Sequence, residues 1–378
     1  MRDAFIVAAR RTAVCPREGA FSKLEVADLA APVMKTLLND TGIAAEDLDQ
    51  VILGNALYGG GNPARVAALQ AGIEEDKPAM TLDTQCCSGL DSVGLAVQMI
   101  KAGEAEVVLA GGVESYSRSP IRQRRPKAKG EEPASYTRPP FTPWRDRDPD
   151  MLISAADFAL TKDISRADQE RFAIASQQKA VAVQQKGTAE IIPLAGITRD
   201  SFTRPLTEKL CARLPLVAGD APHALTAATI AVEADAAAAV LVVSDKKIKE
   251  LREELAAVRI LGYLSTGCDP ETPLRGLYAA TDNLLKKYRL TMQDVAVVEA
   301  MEAFAVQMID YSERLQLDPN CLNRGGGALS RGHPVGASGA INIVRLWHEL
   351  QQEEIGVLGL ASIAAAGGLG SALILQRV

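Results

Sequence analysis

The chain has 378 residues, with 47 acidic and 41 basic side chains that leave a net charge of −6. At about 100 to 200 residues per domain this allows two or three domains with a substantial core. The 47% hydrophobic and 23% charged residues exclude disordered, collagenous and membrane classes, and 4% aromatics beside 30 glycines argue against the aromatic platforms of single-strand nucleic-acid binders.

The opening FIVAARRTAV reads as a strand and not a secretory leader, because its apolar run is short and no cleavage site follows Arg10 and Arg11. No run approaches the roughly 20 apolar residues needed to cross a bilayer, so the expectation is a cytoplasmic protein with neither a membrane nor a nucleic-acid partner. Further apolar runs follow at Val51 to Leu53, Val107 to Ala110, Ala237 to Ser244, Val295 to Val298 and Gly356 to Leu360, separated by helical patterns. Such runs predict α/β architecture with sheets buried on both faces. Residues 118–150 are rich in Pro and Arg without periodicity and read as an excursion from the core. Its basic cluster, Arg122, Arg124, Arg125, Lys127 and Lys129, suits either an anionic ligand or a solvated loop. A helix is expected over Arg166 to Gln185, with Ser165 as its N-cap.

The two ends of the chain repeat a pattern. GIAAEDLDQVILGNA has its counterpart in RLTMQDVAVVEAMEA, each pair 247 positions apart: Leu37 with Leu284, Asp47 with Asp294, Val51 with Val298. The same offset sets Cys86 against His333, each just before a small-residue helix opening. Two like halves would thus each present one reactive side chain at a strand-to-helix turn, where α/β folds place their sites. Of the cysteines (Cys15, Cys86, Cys87, Cys211, Cys268 and Cys321), none shows disulfide-framework or zinc-site spacing, and no metal site is expected. At a helix N-terminus Cys86 is expected to have a lowered thiol pKa. His333 is expected to take its proton, giving a Cys/His nucleophile for attack on an acyl carbonyl. His223 and His348 lack such surroundings.

The run LDTQCCSGLDSVGLAVQMIKAGEAEVVLAGGVESYSRSP resembles the nucleophile segment of the thiolase superfamily, and NRGGGALSRGHPVGASGA resembles its His-bearing segment. FIVAARRTAV and ISRADQERFAIASQQKA are also similar to thiolase segments, in order over nearly the whole chain. The resemblance implies two similar α/β half-domains in a five-layered αβαβα arrangement plus an inserted loop domain that receives coenzyme A. The expected division is 1–117 with 231–255 for the N-terminal half, 118–230 for the loop domain and 256–378 for the C-terminal half. It also implies a homodimer or homotetramer, no covalently bound cofactor, and coenzyme A as substrate and product. Cys86 is then the acylated nucleophile, His333 its activator and Cys87 a packing residue. The oxyanion hole falls on the N–H groups of Cys86 and of the turn at Ala366 and Gly367.

Three departures from the family pattern stand out. Met301-Glu302-Ala303-Phe304 replaces Asn-Glu-Ala-Phe, Ala364 stands where relatives carry a second, acid/base Cys, and Ala231-Val232 replaces a Ser-Gly pair that contacts the pantetheine arm. Alanine moves no proton and a thioether donates no hydrogen bond. Acyl transfer onto Cys86 is thus expected to survive while the Claisen step is impaired or rewired, with His333, Cys321 or Glu302 taking over the acid/base role. The alternatives are a non-condensing acyl-thioester transferase or hydrolase, and a non-catalytic scaffold, against which the retained Cys/His pair argues.

Overall fold

The computed structural model describes residues 2–187, 189–251 and 255–378. The expected N-terminal segment 231–255 therefore includes three residues, 252–254, that lie outside the described ones. The first half contains β1 (Ala4–Arg11), α1 (Val26–Thr41), β2 (Gln50–Gly54), α2 (Pro63–Gln70), β3 (Ala79–Leu82), α3 (Ser88–Ala102) and β4 (Val107–Ser115). After an excursion holding α4 (Met151–Thr161) and α5 (Arg166–Lys186), the chain returns as β5 (Ala234–Ser244). The second half comprises β6 (Val258–Gly267), α6 (Gly276–Tyr288), β7 (Val295–Ala300), α7 (Ala305–Leu315), α8 (Val335–Leu350), β8 (Leu358–Ala365) and β9 (Leu369–Arg377).

The strand order is β7-β8-β9-β6-β1-β5-β4-β2-β3, and the antiparallel β1/β6 pair, with Ala4 opposite Ile260, joins the two half-sheets. β2, β3 and β4 run parallel, as do β7 and β8. Each half-sheet is covered twice. Along β5, Ala234, Ala236, Ala238, Val240 and Val242 face a central core shared with α3 and α8, while Ala237, Ala239, Leu241 and Val243 face the outer helices α1 and α2. Burial on both faces is why β5 reads as an unbroken apolar run. On the far side, α6 and α7 bury Leu277, Leu284, Met308 and Tyr311 against the second half-sheet, which completes the αβαβα order.

The central helices approach closely because their contact faces are small. A Cβ on Gly89 would meet the Gly336 carbonyl oxygen at 2.7 Å, and one on Gly339 would meet the Leu90 nitrogen at 2.6 Å. These contacts lie beside the openings of α3 and α8, so the glycines set how near the two helix starts come. The repeat is geometric as well as sequential. One-turn 3₁₀ helices occur at Ala45–Asp47 and again at Met292–Asp294, and α3 and α8 begin at Ser88 and Val335, in each case 247 positions apart.

Residues 118–150 hold only a two-residue hairpin, Gln123–Arg124 with Ala134–Ser135, and a short turn at Arg145–Arg147. α5 starts where expected, with the Ser165 hydroxyl accepting from the Asp168 N–H at 3.1 Å. The excursion is tied to the core by buried ions. Arg11 of β1 donates to Glu190 and Asp200 at 2.6 Å each, and Arg345 of α8 donates to the other Glu190 oxygen at 2.7 Å. Ions buried this deeply require every partner, because removing one strands a charge at a cost of about 3–5 kcal/mol.

Candidate active site

Cys86 sits on the turn between β3 and α3. Gln85 before it takes φ 56°, in the left-handed region, and the Ser88 hydroxyl accepts from the Thr84 N–H while donating to the Gln85 carbonyl. This lock lifts the Cys86 side chain out of the strand line and leaves it half-buried, whereas Cys87 is fully buried in the central core. His333 precedes α8 on the equivalent turn, after Gly332 at φ 115°, and its N–H donates to the Val232 carbonyl at 2.7 Å. The two turns bring His333 Nε2 to 3.3 Å from Cys86 Sγ.

The other imidazole nitrogen decides the tautomer. Ser338 Oγ lies 2.7 Å from His333 Nδ1 and spends its own hydrogen on the Pro334 carbonyl at 3.2 Å. The hydroxyl must therefore accept from Nδ1–H, which leaves the Nε2 lone pair facing the thiol. Burial holds His333 down at about 4, so the imidazole is neutral near pH 7. Burial also pushes the Cys86 thiol up to about 12, against the opposing pull of the Ala366 and Cys86 backbone N–H groups at the sulfur. The expectation of a lowered thiol pKa is thus corrected: removing the thiolate from water outweighs the helix start and the two N–H donors. The pair rests as thiol and neutral imidazole, and charge develops only as the sulfur attacks.

Ala366 directs its N–H at the sulfur, while Gly367 beside it, at φ 80°, forms the turn. A Cβ on Gly367 would meet the carbonyl oxygen of Phe141 at 3.1 Å, so the excursion forms one wall here. A backbone seam gathers the remaining positions: Ala231 donates to the Ala303 carbonyl, Ala305 donates to that of Thr229, and Ile230 bridges Phe304. Ala231, Val232, Ala303, Phe304 and His333 are thus neighbours. Met301 is buried in the central core against which Cys86 packs, and Ala364 is half-buried on β8 beside the second half's outer core.

The two replacement acid/base groups other than His333 are accounted for elsewhere. Glu302 has one oxygen taken by Asn323 and the other by Ser176 and the Leu329 N–H. Cys321 donates to the Asp318 carbonyl at 2.9 Å, with Lys179 and Arg324 for neighbours. His223 pairs with Asp163, and His348 with the Ala9 carbonyl. Among the described residues no group of three or more His, Cys, Asp or Glu is arranged to hold a metal ion.

Two contributors escaped the sequence reading. Ser338 lies within the quoted His segment, yet only the turn geometry shows that it meets Nδ1. Glu114 of β4 is fully buried and accepts from the Gly336 N–H at 2.8 Å, the Ala56 N–H at 3.1 Å, the Leu57 N–H at 3.2 Å and Asn55 Nδ2 at 2.6 Å, which pins the start of α8 to the first half. Burial pushes this carboxyl up to about 7. A lone carboxylate in the apolar run VVLAGGVES was its signal.

Comparison with known proteins agrees with this geometry. Residues 4–246 match the thiolase N-terminal domain and residues 225–377 the thiolase C-terminal domain. The chain is 38% identical to an acetyl-CoA acetyltransferase of Thiocystis violacea, covering 99% of this chain and 98% of that protein. It is 36% identical to a probable acetyl-CoA acyltransferase of Staphylococcus aureus (strain COL), over the full length of both. The crystal structure of the Bacillus anthracis acetyl-CoA acetyltransferase superposes with a TM-score of 0.91 at 29% identity, covering 100% of this chain and 99% of that one. Human mitochondrial 3-ketoacyl-CoA thiolase in complex with CoA gives 0.89 at 31%, covering 100% and 98%. With both domain models matched over almost the whole chain, this protein belongs to the thiolase family.

Proposed function

We propose that the chain is a thiolase-type acyltransferase that takes the acyl group of an acyl-CoA onto Cys86. The observation that carries the reading is the 3.3 Å approach of His333 Nε2 to Cys86 Sγ, with Nδ1–H held by Ser338. As the sulfur attacks the thioester carbonyl, Nε2 takes the thiol proton, and the oxyanion accepts from the N–H groups of Cys86 and the Ala366–Gly367 turn. The carbon–sulfur bond to coenzyme A then breaks, and the imidazolium returns its proton to the departing thiolate. Coenzyme A enters as the carrier and leaves as the product, with no resident cofactor. Ala231, Val232, Ala303 and Phe304 line the approach of the pantetheine arm in this reading.

The second half of the reaction is impaired or rewired. Met301 offers no hydrogen-bond donor and Ala364 no acid or base, and loss of one such group costs about 100-fold or more. These same side chains favour a second reading, in which the acyl group passes to water or to an oxygen or nitrogen nucleophile without carbon–carbon chemistry. Intact-mass spectrometry after incubation with acetyl-CoA and longer acyl-CoAs tests the common first step. An adduct is expected on wild type and not on Cys86→Ala, and no adduct with any donor defeats both readings. Cleavage of acetoacetyl-CoA by free coenzyme A separates them: a slow but Cys86-dependent rate supports the first, none the second.

We also infer a homodimer, with a tetramer as its further assembly. Among the described residues β3 is hydrogen-bonded on one side only and lies at the end of the sheet, with Met80 on it and Tyr58, Val66 and Leu69 nearby exposing apolar surface. The division into an N-terminal half (1–117 with 231–255), a loop domain (118–230) and a C-terminal half (256–378) belongs to the same proposal, as does a cytoplasmic setting, which the six unpaired cysteines suit. Among the described residues no helix is long and apolar enough to cross a membrane.

A further inference from the structure

β4 points Gly112 and Glu114 at the layer that holds Cys86 and His333, and Tyr116 follows in the bend just past its end at Ser115. Gly112 lies so close to Gly336 and Ala337 that a side chain would collide with them, and Glu114 accepts the Gly336 N–H. Tyr116 comes two residues after Glu114, where the chain has left the strand. The segment that leads into β5 borders both places: His333 donates its N–H to the Val232 carbonyl and bridges Glu233, while Asp235 lies opposite Ser115. The Tyr116 position is well fixed: Asp235 accepts from the Tyr116 and Ser117 N–H groups and, at 2.6 Å, from the Ser117 hydroxyl.

The phenol itself is uncommitted. Tyr116 is half-buried, and among the described residues its hydroxyl has no hydrogen-bond partner. Burial, with Glu233, Cys86 and Glu114 nearby, pushes it well above its usual value, so the O–H stays protonated. Glu233 is already engaged by Arg17 at 2.8 Å. A neutral donor with an idle hydrogen thus stands in the neighbourhood of Cys86 and Glu114, its backbone held by Asp235 two residues from the Glu233 that bridges His333.

We propose that the Tyr116 hydroxyl donates a hydrogen bond to the thioester carbonyl oxygen of the coenzyme A-linked acyl group whose α-carbon is activated, the electrophilic task that Met301 leaves unfilled. In that step the α-carbon–hydrogen bond breaks, the proton passes to His333 Nε2, and the electron pair moves onto the carbonyl oxygen, where the phenol stabilises it. The assignment rests on the acyltransferase reading, since it requires coenzyme A thioester in the cleft.

The test follows exchange of the acetyl-CoA methyl protons with deuterium by NMR in wild type and Tyr116→Phe, alongside Cys86 acylation by intact mass. Exchange is expected to fall about 10- to 100-fold in Tyr116→Phe, while acylation of Cys86 stays within about twofold and the melting temperature holds. Adding Met301→Asn to Tyr116→Phe is expected to restore exchange. Wild-type exchange in Tyr116→Phe, an equal fall in both readouts, or a wild-type enzyme that acylates Cys86 yet exchanges no protons would each overturn the role of Tyr116 and leave the acyltransferase reading standing. Absence of the Cys86 adduct in wild type defeats that reading and the Tyr116 role with it.

Discussion

Ser338 Oγ stands 2.7 Å from His333 Nδ1, one helical turn into α8, and its bond to the Pro334 carbonyl forces it to act as acceptor. This relation commits Nε2 to the thiol. Ser338→Ala removes the acceptor and frees the ring to adopt the other tautomer. Cys86 acylation should slow by about 10- to 100-fold, with Ser338→Thr recovering part of the rate. Stopped-flow release of coenzyme A measures it, and an unchanged rate would show that the tautomer is set elsewhere.

His333 is held at about 4 by burial, so lowering the solution pH from 8 to 5 should leave its imidazole neutral. Only three histidines are present, and their ring signals can be followed individually by heteronuclear NMR. The expected titration has the His333 resonances static over that range and moving only as pH approaches 4. A midpoint between 6 and 7 would mean that the ring is far more hydrated than the structure shows.

The departures at 301 and 364 predict a gain of function. Ala364→Cys with Met301→Asn puts an acid/base thiol and an amide donor at the two positions where the proposed site departs from the family pattern, and thiolysis of acetoacetyl-CoA should rise by about 100-fold or more over wild type. Acylation of Cys86, which uses neither position, should change by less than about threefold. A wild-type rate already typical of an efficient enzyme, about 10 s⁻¹ or above, would show that neither residue limits the step.

Glu299 of β7 is fully buried and, among the described residues, its carboxylate accepts no hydrogen bond, standing 3.9 Å from both Arg331 and Arg345. Burial, opposed by the two guanidinium groups, pushes it up from 4.5 to about 7. The folded state therefore binds this proton more tightly than the unfolded chain does. Its contribution to stability is fully present below pH 4.5 and is lost as pH rises through 7, by up to about 3 kcal/mol. Glu114 shifts in the same direction. Thermal melts should show stability declining from pH 5 to 8, and Glu299→Gln should remove about half of that slope; a slope identical to wild type counts against the assignment.

The free edge of β3 gives the last expectation. Met80→Arg, on that edge with 38% of its surface exposed, should convert the proposed dimer to monomer in sedimentation experiments without changing the helix content. A wild-type monomer at micromolar concentration would refute the interface outright.

Much of this was legible in the residues themselves. Doubly buried strands such as β5 announce themselves because every position must be apolar, and the 247-residue repeat announces two like halves because the same helix, turn and strand must be encoded twice. Cys86 and His333 could be paired by that offset alone. What the sequence could not convey was the electrical state of the pair. A helix start pulls a thiol pKa down and burial pushes it up, and only the packing of α3 against α8, set by Gly89 and Gly339, shows that burial prevails. Ser338 and Glu114 were hidden for a related reason, since contacts between residues 5 to 222 positions apart arise from the meeting of turns and not from spacing. The chain by itself determined which reactive groups exist and that they come in two matched halves. The tertiary structure decided which atoms face each other and which stay protonated, because desolvation and hydrogen-bond geometry depend on neighbours that no local pattern specifies.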